Sequence, residues 1–240
     1  VKAALLLTLL LAGCATLPHP TGPDGDSWRD PNLLDANPSV LRIELDRVEG
    51  SEPRARALGV FLRELRRLTH KERIELVVDD VIPAADYEAT LGRVRFLASR
   101  HRSAATVGRA DIHLVYASRL GNYRGYAWTR REMARRSGTY KAPLVSIYAD
   151  TLQPIAHVTG VRQEASVLVH ETGHAFGLAT NPGHSKKGHC TNAWCSLYDG
   201  VDARSGLLYL WPTLLSGYLP IRFCADCRED LFGTSAPPRP

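Results

Sequence analysis

The chain runs to 240 residues with 44% apolar types, enough to bury one sizeable core, which excludes both a peptide and a repeat array. Its 30 basic and 25 acidic residues leave a formal charge of +5, and the basic ones form no long block, so no nucleic acid is expected as a partner. Arg130, Arg131, Arg135 and Arg136 do gather, which suits a solvated helix or loop face better than a surface for anionic lipid or acidic substrate.

At the amino end, Lys2 precedes an apolar run from Ala3 to Ala12 that is too short for a permanent bilayer span and reads as an export signal. The run closes on Leu11-Ala12-Gly13-Cys14. This end resembles the lipobox of bacterial lipoproteins, in which small residues precede a cysteine that is acylated and becomes the mature amino terminus. The resemblance implies a signal peptide over 1–14, lipidation at Cys14 and an extracytoplasmic, membrane-anchored protein, on the periplasmic side where the cell has an outer membrane. Acyl chains, not a spanning helix, would make that contact. Residues 15–38 turn to Pro, Asp, Gly and Asn, the composition of a flexible linker, and the Pro-rich tail 233–240 is expected to be disordered. A single domain is left over 39–232.

Within it, Leu41, Ile43 and Leu45 alternate with Arg42, Glu44 and Asp46, which predicts a strand with one buried and one polar face. Leu58, Phe61, Leu62, Leu65 and Leu68 fall at helical spacing between Glu52 and His70. Ile74, Leu76 and Val78 mark a second strand, Tyr87, Leu91 and Val94 a second helix, and Ile112, Leu114 and Tyr116 a third strand, on which His113 is read as a strand-face residue, not a ligand. A Gly- and Tyr-containing stretch, Gly121 to Trp128, leads to a further strand within Pro143 to Asp150. Strands alternating with helices, followed by a region poor in strands, predict an α/β (α+β) domain, a mixed twisted sheet with a smaller irregular carboxy-terminal lobe.

The segment from Val161 to Ala179 holds His170-Glu171-Thr172-Gly173-His174. Two histidines four apart share one face of a helix, so both imidazoles can reach one Zn2+ while Glu171 stands beside them. The flanking Val167, Leu168, Val169 and Phe176 supply the packing that a rigid site needs. Gly177 allows a positive φ and a sharp exit, after which a third ligand can fold back.

As far as Gly177 the pattern H-E-x-x-H-x-x-G resembles the metzincin zinc helix, and the residues beyond it resemble archaemetzincin in particular. There the sequence continues with Leu, one variable residue, His-Cys, four residues, Cys and later C-x-x-C. This chain has Gly177-Leu178, then His189-Cys190, Cys195, and finally Cys224 and Cys227. Two positions depart. The third metzincin histidine would stand at Thr180, but the His189-Cys190 pair arrives nine residues later (189 against 180), behind an insertion containing Asn181-Pro182-Gly183-His184. The methionine of the Met-turn is replaced by Leu197, which can serve as an apolar floor of similar volume; Met133, the single methionine, lies far upstream.

For the third ligand His189 is preferred because it keeps its link to Cys190, and His184 is the alternative. The resemblance implies a metzincin-like fold and a catalytic Zn2+ on three histidines with an open position for water, whose pKa zinc can lower to about 7. Glu171 would be the general base, and hydrolysis of peptide bonds, endopeptidase or aminopeptidase in type, the reaction. Tyr198 is a possible oxyanion partner or simply a buried tyrosine. Cys190, Cys195, Cys224 and Cys227 resemble a second, structural zinc site, with disulfides as the alternative for an exported chain. The expected partner besides the membrane is a peptide or protein substrate. The rival is a zinc-stabilised binding lipoprotein without turnover, motivated by Thr180 and Leu197; Glu171 counts against it, since a structural site gains nothing from an adjacent carboxylate.

Overall fold

The computed structural model describes residues 31–103, 108–120, 124–137, 142–152, 160–178, 181–198 and 219–232. Cys14, Thr180 and the tail 233–240 lie outside them. In chain order the elements are α1 (Pro31–Leu34), β1 (Val40–Val48), α2 (Ala55–Leu68), β2 (Arg73–Ile82), α3 (Leu91–His101), β3 (Arg109–Ala117), β4 (Gly125–Trp128) and α4 (Arg130–Ser137). They continue with β5 (Leu144–Tyr148), α5 (Gly160–Ala175), the short strands β6 (Ser185–Lys186) and β7 (His189–Cys190), and α6 (Ala225–Phe232). The five long strands form one sheet in the order β2-β1-β3-β5-β4, parallel except for β4, which runs antiparallel to β5 at the edge.

One face of the sheet packs Leu41, Ile43 and Leu45 against Phe61 and Leu65 of α2 and Leu168 of α5. The other face packs Val48, Val115 and Ala117 against Val94, Leu97 and Ala98 of α3. The sheet is covered on both sides at its centre, which leaves β1 no solvated face, whereas the edge strand β2 keeps Val78 and Val81 exposed. Arg42, Glu44 and Asp46, expected on a polar face, are accordingly buried and satisfied within the protein. Arg42 pairs with Glu44 at 2.5 Å, Ser103 N–H donates to Glu44 at 2.6 Å, and Asp46 takes His113 Nε2 at 2.7 Å and Asp80 N–H at 3.1 Å. Asp46 therefore accounts for His113 without a metal.

Two features were not expected. Leu33 and Leu34 of α1 are buried in the main core, and His70 N–H donates to Leu34 O, so folded structure begins inside the stretch read as a linker. The Gly- and Tyr-containing stretch supplies β4, too short to show an alternation of its own. Behind it, Thr129 and Glu132 exchange side-chain to backbone hydrogen bonds at 3.2 and 2.7 Å, a capping box that starts α4 and places the arginine cluster on that helix. Among the described residues no helix is long and apolar enough to cross a membrane.

Candidate metal centre and catalytic site

Helix α5 lies against α2, β4 and β5 and is fixed at both ends. Near its start, buried Glu164 accepts from Arg54 N–H (2.9 Å), the Arg54 guanidinium (2.8 Å) and Tyr116 OH (3.0 Å). At its end Gly177 takes φ +84, and the N–H groups of Gly177 and Leu178 donate to His174 O and Gly173 O. This pair of bonds is the Schellman closure, which turns the chain out of the helix one residue after its last turn.

His170 and His174 stand one turn apart on α5 with their Nε2 atoms 3.1 Å apart. His189 reaches them from β7. The β6–β7 hairpin turns on Lys187 (φ 53) and Gly188 (φ 82), the paired positive φ angles of a tight two-residue turn. One ring nitrogen from each of the three histidines lies within 4.8 Å of the other two, and all three rings are buried. A tetrahedral zinc at about 2.0–2.1 Å from each nitrogen spaces them by roughly 3.3 Å, close to the spacing on α5. Ser196 O, which can only accept, lies 2.6 Å from His170 Nδ1, so Nδ1 carries the proton and Nε2 turns its lone pair toward the other two rings. Three buried imidazoles grouped in this way fit an open zinc site.

Glu171 projects from the same helix and is 1% exposed, which excludes a solvated helix charge. Its Oε1 is buried with no hydrogen-bond partner among the described residues, and burial pushes its carboxyl up to about 8. Gly125 of β4 lies against it: a Cβ there would stand 2.5 Å from Glu171 Cγ and 2.8 Å from Oε1. Below the helix, a Cβ on Gly173 would meet Phe223 at 2.8 Å and Leu197 at 3.0 Å. Leu197 is fully buried there and, with Phe223, forms an apolar floor under the turn that carries both histidines.

The four cysteines form a separate cluster. All are free thiols, and their sulfurs lie within 4.8 Å of one another, Cys190 to Cys224 and Cys195 to Cys227 each at 3.6 Å. A disulfide needs about 2.05 Å. Four sulfurs about 2.3 Å from a tetrahedral zinc lie about 3.8 Å apart, so the cluster fits a closed metal site and not two disulfides. Backbone N–H groups of Asn192 and Cys224 donate to Cys190 and Cys195 sulfurs at 3.4 and 3.3 Å. Burial pushes the Cys190 thiol up to about 12, whereas hydrogen bonding from Cys227 and backbone N–H groups draws Cys195 down to about 6.

His184, the alternative third ligand, does not join His170 and His174; its ring faces the cysteines, with Nδ1 3.9 Å from Cys190 Sγ. Tyr198 is half-buried and pairs its backbone with Cys190 and Cys195. Sequence reasoning missed Ser196, whose contribution is a carbonyl that no side-chain pattern reports, and Gly125, which sits on the strand it did not identify. Gly173 carried a signal, because a glycine inside a helix often marks a close approach. The two centres are joined by peptide bonds twice, at His189-Cys190 and at Cys195-Ser196.

No family model and no curated protein matches the chain. Nine chains of solved structures match, among them archaemetzincin from Methanopyrus kandleri, at 17% identity and a TM-score of 0.49 over 80% of this chain and 94% of that one. At that level the likeness carries no functional argument, and the chemistry rests on three convergent imidazoles, one buried carboxylate and four clustered sulfurs.

Proposed function

We propose that the chain is a zinc-dependent peptidase, with His170, His174 and His189 as metal ligands and Glu171 as general base. The observation that carries this reading is the Glu171 carboxyl, buried with Oε1 unsatisfied on the helix that supplies two of three clustered imidazoles. Burying such an oxygen without a partner costs about 1–3 kcal/mol, a cost that a site for storing metal would have no use for. When bound, Zn2+ supplies a Lewis acid that polarises a carbonyl and acidifies water. Glu171 takes the proton from the attacking water and passes it to the leaving amine. His170, oriented by Ser196 O, keeps its lone pair on the metal side throughout.

The four cysteines are proposed to hold a second, structural zinc, and Cys14 to carry the lipid that keeps the enzyme at a membrane surface outside the cytoplasm. An extended peptide is proposed to lie along β4, the strand at the sheet edge among the described residues, whose Gly125 packs against Glu171. The test is Glu171→Ala, assayed for zinc content and peptide cleavage on the same preparation. Zinc retained with kcat/KM lowered about 100- to 10,000-fold supports the reading. Undiminished cleavage would refute it, and a zinc-loaded wild type inactive on a broad peptide library would favour the binding lipoprotein.

A further inference from the structure

His184 belongs to the insertion that delays His189, and its surroundings are built around its ring. Asp230 of α6 accepts from His184 Nε2 at 2.7 Å and, with its other oxygen, from Asn181 Nδ2 at 2.9 Å. Thr191 N–H donates to His184 O at 2.9 Å, and His184 N–H to Asn181 O at 3.3 Å, so backbone and carboxylate both fix the residue. A carboxylate accepts, which leaves the proton of the neutral ring on Nε2 and turns the Nδ1 lone pair the other way. That way lie the sulfurs: Nδ1 is 3.9 Å from Cys190 Sγ and 4.0 Å from Cys227 Sγ. A histidine whose far nitrogen is held by a carboxylate while its near nitrogen faces soft donors has the arrangement of a metal ligand.

We propose that His184 is a fifth donor of the cysteine centre, able to complete a Cys190, Cys195, Cys227 and His184 site in place of Cys224. This rests on reading the cysteines as a metal centre. In a tetrahedral site with about 2.3 Å to sulfur and 2.0–2.1 Å to nitrogen, neighbouring S and N atoms lie about 3.5 Å apart, so His184 stands only about 0.5 Å beyond ligand spacing from Cys190 and Cys227. Cys224 is the thiol that gives way because it is the one not buried, whereas Cys195 and Cys227 are fully enclosed. Three cysteines and one histidine form an established closed donor set for zinc.

The experiment loads full-length protein with Co2+ and reads the sulfur-to-cobalt absorption that reports thiolate ligation. Wild type should show it, Cys224→Ala should keep a weaker and shifted band, and Cys224→Ala/His184→Ala should lose it. Equal loss in the single and double variants overturns the role of His184 while leaving the cysteine centre standing. No sulfur-to-cobalt band in wild type overturns both. With all four cysteines intact, chelator-driven zinc release gives an independent measure should Cys224→Ala not fold. His184→Ala and Asp230→Asn should each release the cysteine-bound zinc about 10- to 100-fold faster than wild type. Unchanged release rates in both variants overturn the proposal.

Discussion

Replacing Gly125 by alanine adds one methyl group to β4 and tests whether Glu171 works from the position it occupies. The new Cβ would stand 2.5 Å from Glu171 Cγ, 2.8 Å from Oε1 and 2.9 Å from Cδ. Carbon atoms rest about 3.5–4.0 Å apart, so roughly 1 Å of overlap must be relieved. The strand cannot easily yield, because Gly125 is paired to Ile147 in the sheet, and the helix is held by the bonds of Glu164 and the Schellman closure. Gly125 is not in the left-handed region, so alanine strains no backbone angle and the carboxylate takes the displacement. A misplacement of about 1 Å costs on the order of 100-fold in rate, which is about 2.7 kcal/mol of transition-state stabilisation. Zinc content should not change, since Glu171 is no ligand. The assay is kcat/KM on a fluorogenic peptide with zinc measured in parallel. In the background of the shorter Glu171→Asp, Gly125→Ala should cost less, because the overlapping Cγ and carboxyl atoms have been drawn back. Wild-type kcat/KM in Gly125→Ala would show that the carboxylate does not act from its place against β4.

His170→Ala, His174→Ala and His189→Ala should each lose the histidine-bound zinc and all cleavage, whereas His184→Ala should keep both; metal analysis at both centres separates them. Gly173→Ala should overpack against Phe223 and Leu197 by about 1–3 kcal/mol, lowering Tm by roughly 2–10 °C in a thermal melt despite the better helix propensity of alanine. Cys14→Ser should move the protein from the detergent phase to the aqueous phase, and identical partitioning of the two forms would remove the anchor.

The chemistry-bearing residues are legible in the sequence because metal sites impose local spacing: the i, i+4 histidines need nothing but a helix, and the cysteine pairs little more than a turn. The choice between His184 and His189 is not legible from the residues alone. Both lie in one polar loop, and what separates them is a hairpin turning on Lys187 and Gly188 and a carboxylate 46 residues away at Asp230. The alternation of β1 identifies a strand correctly but a solvated face incorrectly. Arg42, Glu44 and Asp46 look like surface residues until β3 and the segment after α3 bring His113 and Ser103 to meet them. β4 escapes because four residues opening on glycine show no period, yet that glycine borders the Glu171 carboxyl.

The shared peptide links His189-Cys190 and Cys195-Ser196 make assembly hierarchical. Gathering four cysteines spread over residues 190–227 costs chain entropy, a cost that a metal held by their sulfurs would meet without help from the histidines. The same metal would order His189 and Ser196, which are bonded to Cys190 and Cys195, and with them the carbonyl that meets His170. Stripping a metal from the histidines alone would therefore leave a pre-shaped pocket that refills quickly. Stripping a cysteine-bound metal would loosen His189 and Ser196 from the α5 histidines and, on the proposed function, end cleavage, while the five-stranded sheet, which shares no ligand with either cluster, stays folded.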